Sequence, residues 1–188
     1  MSKKPFHVLN YPSSRQLTFD VGKIGKEKHY VTALLEVDVT DAWTTIRQSR
    51  RAEKKISFSA WLIKVIADCV ALHPHVAGIN QVHRNRVIVF DDVDISIVVE
   101  KEVNGTLVPL PYVLRKVEQK SVFEIHDEIE AAKAQVVIDE SGYILGKNSS
   151  ALGLKIYTAL PQWLRLILFR AFVLNRPQQS KAAMGTVM

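Results

Sequence analysis

The chain has 188 residues, of which 47% are hydrophobic and 23% charged, a length and balance that suit one globular domain with a real core. Its single cysteine, Cys69, excludes an internal disulfide framework and suits a reducing cytoplasm. The formal net charge of +6 and pI near 9.4 raise nucleic acid or an anionic surface as partners, which the distribution of the charge must decide.

In chain order, MSKKPFHVLN is basic but lacks the continuous apolar stretch of an export signal. Residues Tyr30 to Val39 mix β-branched and apolar residues in partial alternation, which predicts a strand with at least one buried face. Thr40 offers an N-cap hydroxyl to a helix running to about Ala52. That helix ends in RQSRRAEKK, where Arg47, Arg50, Arg51, Lys54 and Lys55 complement the helix dipole and solvate the surface. Without interleaved aromatic residues or a nucleic-acid module, the cluster gives no reason to expect a nucleic-acid partner.

After Ser57, the residues Phe58, Trp61, Leu62, Val65, Ile66, Cys69 and Val70 recur at helical spacing and predict one continuous apolar helix face. Ile63, Ala67, Ala71 and Leu72 extend that character round the helix, so it is expected to pack on a sheet with little surface wet and with Cys69 buried. His73-Pro74 ends it. Strands are predicted at Arg86 to Phe90 and Val93 to Glu100, and Asn104-Gly105 then leads as a hairpin turn into Thr106 to Leu110. Ser121 and Glu124 form a capping box before Val122, Ile125, Ile129 and Ala132. From about Val136 the pattern loosens. Leu160, Trp163, Leu164, Ile167, Leu168, Ala171 and Phe172 then repeat helical spacing with Arg165 and Arg170 on the flank. Interrupted by those arginines and shorter than the roughly 20 residues of a spanning helix, this run predicts docking on its own domain or a neighbouring subunit, ahead of contact with a membrane surface through 160–172.

None of the six histidines carries a metal-ligand spacing, so no metal is expected. His126 reads as a solvated helix position. Neither a nucleophile elbow nor a phosphate-binding loop occurs, and Gly22 and Gly25 in VGKIGKEK are too few for one.

The strings EVDVT (36–40), ISFSAWLIKVIADCVALHPHVAGIN (56–80), VIVFDDVDISIVVEKEVNGTLVPL (87–110) and KSVFEIHDEIEAA (120–132), in this order, resemble the catalytic domain of dihydrolipoyl acyltransferases, the acyltransferase subunits of 2-oxoacid dehydrogenase complexes. The resemblance covers roughly residues 10 to 134. It implies an α/β fold, a two-layer sandwich like that of chloramphenicol acetyltransferase, incomplete at the C-terminus. It also implies a homo-oligomer, a trimer, with the active site in a channel between subunits, and coenzyme A or acyl-CoA as substrate beside a small-molecule thiol or hydroxyl acceptor. In the family a histidine of a His-x-x-x-Asp-Gly motif is the base and a serine or threonine after a Gly-Thr strand binds the oxyanion.

Gly185-Thr186-Val187-Met188 matches the opening of that strand, and the sequence contains no His-x-x-x-Asp, so neither the base nor the oxyanion residue is expected among these residues. By the same resemblance Arg15 matches an arginine that orients the histidine motif, and Ser96, Val98 and Leu107 match residues lining the acceptor channel. Ordinary solvation of Arg15 and plain sheet packing of the other three are the alternative readings. With no lipoyl attachment site or subunit-binding domain in the sequence, a stand-alone branch is expected. The chain is expected to form a single domain over 1–188, with 135–183 as a family-atypical insertion bearing a basic apolar helix. The alternative is a non-catalytic assembly or interaction protein that keeps the acyltransferase framework.

Overall fold

A computed structural model describes residues 14–27, 31–51, 55–81, 84–103, 106–135 and 156–188. Helix α1 (Ser14–Gly25) is followed by an extended segment, then α2 (Thr40–Arg51) and α3 (Phe58–Leu72). Two short strands, β1 (Ile79–Gln81) and β2 (Arg86–Ile88), pair antiparallel. The long strands β3 (Ile95–Val103) and β4 (Thr106–Leu114) pair antiparallel over their whole length, from Ile95 opposite Leu114 to Val103 opposite Thr106. Helix α4 (Val122–Ala134) follows, then α5 (Gln162–Phe169), a π-helical turn (Arg170–Leu174) and α6 (Pro177–Met184).

The β3–β4 register leaves two residues for the turn, as the Asn-Gly pair predicts, although residues 104 and 105 lie outside the described set. Pro109 and Pro111 sit inside β4. They are two residues apart, so both missing N–H groups fall on one side of the strand, the side away from β3, where no ladder bond is lost. The hairpin has one apolar face for the helices. Ile95, Val99, Leu110 and Leu114 are buried there, and α3 presents Ala60, Ile63 and Ala67 while α4 presents Ile125 and Ile129. This helix-on-sheet arrangement is the expected α/β class.

Helix α4 forms as its sequence predicts. The Ser121 hydroxyl accepts from the Glu124 backbone N–H, the Glu124 carboxylate accepts from the Ser121 N–H at 2.7 Å, and Ile125, Ile129 and Ala132 are buried. Its C-terminus is closed from the sheet. The buried Lys101 ammonium donates to the carbonyls of Lys133 (2.6 Å) and Gln135 (2.5 Å). Burial pushes the Lys101 ammonium below its ordinary pKa. His126 is half-buried rather than solvated, with its Nδ1 lacking a hydrogen-bond partner.

Four further expectations are corrected. Residues 31–39 form no strand, and Val31, Leu34, Leu35 and Val37 are exposed; among the described residues no strand edge lies beside them to supply a ladder. The start of α2 is held by Asp38 rather than by the Thr40 hydroxyl, because the Asp38 carboxylate accepts from both the Thr40 N–H (2.9 Å) and its hydroxyl (2.6 Å). The buried stripe of α3 is Ala60–Ile63–Ala67, flanked by Ile66 and Val70, while Leu62, Val65 and Cys69 point outward. The stripe's small residues let the helix lie close on the sheet, and that closeness was preferred to burying the larger ones. Last, the predicted seam of α5 does not face inward as one stripe: Trp163, Ile167 and Phe172 are exposed, Leu164 and Leu168 are half-buried, and the buried residues are Leu166 and Arg165, which lie outside it.

Candidate functional site

The face of the β3–β4 hairpin turned away from the helices gathers the residues singled out as channel-lining. Directly paired residues share a face, and Ser96 pairs with Val113, Val98 with Pro111 and Glu102 with Leu107. Ser96, Val98 and Leu107 therefore lie on one side of the sheet. Val98 is 70% and Leu107 67% exposed, so neither packs in this chain's core. Ser96 and Val98 are neighbours on the face, whereas Leu107 lies opposite Glu102, about 13 Å further along the strand direction. The backbone of Arg15 falls in the first turn of α1, and its side chain is outside the described residues.

Beside this face, Asp94 acts as a hub that sequence reasoning did not single out. The Asp94 carbonyl accepts from the N–H groups of Thr186 (2.7 Å) and Val187 (3.0 Å), and Ser96 N–H donates to the Val187 carbonyl at 2.7 Å. The Thr186 hydroxyl accepts from the Asp94 N–H at 2.9 Å and donates to the Asp94 carbonyl at 3.0 Å. Val187 thereby forms an isolated parallel bridge with Ile95, on the edge of β3 away from β4. Only glycine fits at 185. Its φ is +75°, and a Cβ there would lie 2.7 Å from the Asp94 carbonyl oxygen.

The Asp94 side chain, buried, completes the lock. One oxygen accepts from the Lys116 N–H (2.9 Å) and the other from the Arg115 guanidinium (2.8 Å). Arg115 also donates to the carbonyls of Lys181 (3.1 Å) and Ala182 (2.5 Å) at the C-terminal end of α6, where a cation is favoured by the helix dipole. Lys181 pairs with Asp92 and lies 4.8 Å from the Phe90 ring centre. The hydrogen bond from Lys181 holds the Asp92 carboxyl below its ordinary pKa, burial opposing it in part. A cleft of about 320 Å³ separates these groups, but its charges are committed to one another. The cluster's carboxylates are paired with Arg115 and Lys181, and it holds the Gly185–Val187 segment beside Ser96.

Asp94 carried a signal that could have been read. A carboxylate inside the apolar run VDIS must find buried donors if the run is a core strand. Its donors lie 21 and 22 residues away, so the sequence could not name them. Among the described residues, no group of three or more histidines, cysteines or carboxylates could hold a metal ion, and no helix is long and apolar enough to cross a membrane.

This helix-covered hairpin is similar to a solved structure, a truncated catalytic core of the 2-oxoacid dehydrogenase multienzyme complex from Thermoplasma acidophilum. The TM-score is 0.55 at 20% identity, over 68% of this chain and 58% of that one, which establishes a shared fold; the chain thus spans less than two thirds of that structure. Comparison with curated proteins gives no match. The family model for the 2-oxoacid dehydrogenases acyltransferase (catalytic domain) matches residues 25–137. The chain belongs to that family. The match ends at residue 137, two residues past the start of the segment that the sequence reads as an insertion.

Proposed function

We propose that the chain is the front part of a CoA-dependent acyltransferase domain, which moves an acyl group between coenzyme A and a thiol or hydroxyl acceptor. The family match over residues 25–137 carries this reading. In it, the open hairpin face with Ser96, Val98 and Leu107 lines the acceptor channel, and Arg15 supports the histidine motif, which is not among these residues. The strand opened by Gly185–Val187, locked by Asp94 and Arg115, delivers the oxyanion residue that follows it. An oxyanion donor must be held where negative charge develops, and a strand pinned at both backbone and side chain provides that rigidity.

Assembly as a homo-oligomer, in the form of a trimer, fits this reading, because a face exposing Val98 and Leu107 calls for a cover. The whole chain, 1–188, is then one domain with 135–183 inserted, and a single cysteine suits the cytoplasm. These residues alone are inactive, since loss of a general base typically costs on the order of 10² to 10⁴ in rate.

The test is thiol release from acetyl-CoA with dihydrolipoamide as acceptor, on the 188-residue chain and on a version extended through its downstream coding sequence. Activity in the extended protein alone is the expected outcome. Failure of both versions, with the short chain folded and oligomeric, would overturn the catalytic reading.

A further inference from the structure

The helix α5 is amphipathic in the reverse sense. Its arginine points inward beside Leu166, while Trp163 and Ile167 point outward. The Arg165 guanidinium is buried against α1, donating to both oxygens of the buried Asp20 (2.7 and 3.1 Å), to Gln16 Oε1 (3.0 Å) and to the Leu160 carbonyl (2.7 Å). Trp163 is 64%, Ile167 53% and Phe172 54% exposed. Trp163 and Ile167 are one helical turn apart and share a face. A regular helix would carry Phe172 about 140° round from Ile167. The wider π turn at Arg170–Leu174, closed by the Asn175 N–H to the Arg170 carbonyl at 2.9 Å, narrows that angle and brings Phe172 back toward them.

Desolvating an ion pair is costly, so an arrangement that buries one while leaving a tryptophan, an isoleucine and a phenylalanine in water is stable chiefly if those three find another cover. The charge around them indicates which. Among the described residues, Arg170 and Arg176 flank the three, while Arg165 is neutralised by Asp20. Arg176 sits 5.5 Å from the Phe172 ring centre, and the half-exposed Arg170 makes a surface pair with Glu27, a contact weak enough to exchange for another anion. An exposed tryptophan among aliphatic and aromatic neighbours, flanked by arginines, is the composition that seats a helix at the boundary between lipid headgroups and acyl chains.

We propose that the face formed by Trp163 and Ile167 of α5 and Phe172 of the π-helical turn, with Arg170 and Arg176 beside it, docks on an anionic phospholipid bilayer, lying in the interface without crossing it.

The test uses the full chain with vesicles of phosphatidylcholine alone and of phosphatidylcholine mixed with phosphatidylglycerol. Co-sedimentation with the anionic vesicles, a blue shift of the fluorescence that disappears in Trp163→Phe, and weakening by added salt are expected. The triple variant Trp163→Ser, Ile167→Ser, Phe172→Ser should lower vesicle affinity by more than about tenfold, since burial of even one such side chain is worth that factor. Its circular dichroism should match that of the parent, because the three residues are exposed. The proposal falls if the parent ignores anionic vesicles, if it binds neutral ones equally well, or if the triple variant still binds. A drop in oligomeric mass in the triple variant would also overturn it, assigning the patch to contact between copies of the chain.

Discussion

Two regions of the molecule are held together by opposite means. In the first, α3 and α4 cover the β3–β4 hairpin through Ala60, Ala67, Ile125, Leu114 and Val117, all inaccessible to solvent and all apolar. In the second, α1 meets α5 across the Asp20–Arg165 pair, with Gln16, Gln162 and the Leu160 carbonyl completing the network. Burial of apolar area is non-directional and tolerates local rearrangement, whereas a buried ion pair depends on each partner being present. The first region is therefore a core in the ordinary sense. The second is a latch.

Breaking the latch tests that difference most strongly. Asp20→Ala leaves the Arg165 guanidinium buried and uncompensated, and loss of one partner of such a pair costs about 3–5 kcal/mol. The hydrogen bond and charge of Asp20 hold the Arg165 pKa above its ordinary value, which marks how far the cation depends on this carboxylate. Hydrogen exchange should rise throughout α1 and α5 while the amides of α3, α4 and the hairpin keep their protection. Uniform loss of protection would show that the two regions unfold as one.

The core responds to a cavity instead. Leu114 is fully buried at the end of β4, and Leu114→Ala should cost about 2–5 kcal/mol. Denaturant unfolding should register this as a lower midpoint with little change in slope, and α1 should lose protection together with the hairpin only if it docks through the core.

A titration sharpens the contrast from the core side. The Tyr112 hydroxyl donates to Glu128 at 3.0 Å, and burial, reinforced by the Glu128 charge, raises the phenol to about 12 from an ordinary 10.0. Because the folded value is the higher one, the stabilisation is fully present below pH 10 and is lost as pH rises from 10 to 12. Thermal unfolding followed across that window should decline more steeply for the parent than for Tyr112→Phe. At neutral pH the same variant should lose about 0.5–1.5 kcal/mol with the hydrogen bond. Equal slopes for the two proteins above pH 10 would remove Tyr112 from the alkaline response.

The contrast also explains what the sequence discloses. Helix α4 is legible in full, because a capping box and a 3.6-residue period are local signals, and the long hairpin is legible because Asn-Gly is one. Residues 31–39 alternate like a strand, yet a strand exists only against a partner, and partners are not written in the segment itself. Helix α3 reads as apolar nearly all round, so its period could not tell the Ala60–Ile63–Ala67 stripe from the Leu62–Val65–Cys69 one. The latch was illegible for a different reason. Asp20 interrupts the apolar pattern of α1, and its partner lies 145 residues away. At the candidate site, Ser96, Val98 and Leu107 come from family resemblance, and the register then places them on one face. The Asp94 lock came from neither source, since its donors are brought together only by the fold.

Helix α1 escaped the sequence reading partly because Gly22 and Gly25 weaken its helical signal, and that weakness is testable as the smallest effect. Gly22 lies inside the helix without a positive φ, and an added Cβ would meet nothing within 4 Å. Gly22→Ala should therefore stabilise α1 by about 0.5–1 kcal/mol, through lower backbone entropy in the unfolded chain and better helix propensity. If α1 belongs to a latch that opens apart from the core, hydrogen exchange in α1 should slow while the global unfolding midpoint scarcely moves. A midpoint that rises by the full amount would instead place α1 inside the same cooperative unit as the hairpin, and the Asp20–Arg165 pair would then be part of one core rather than a separate closure.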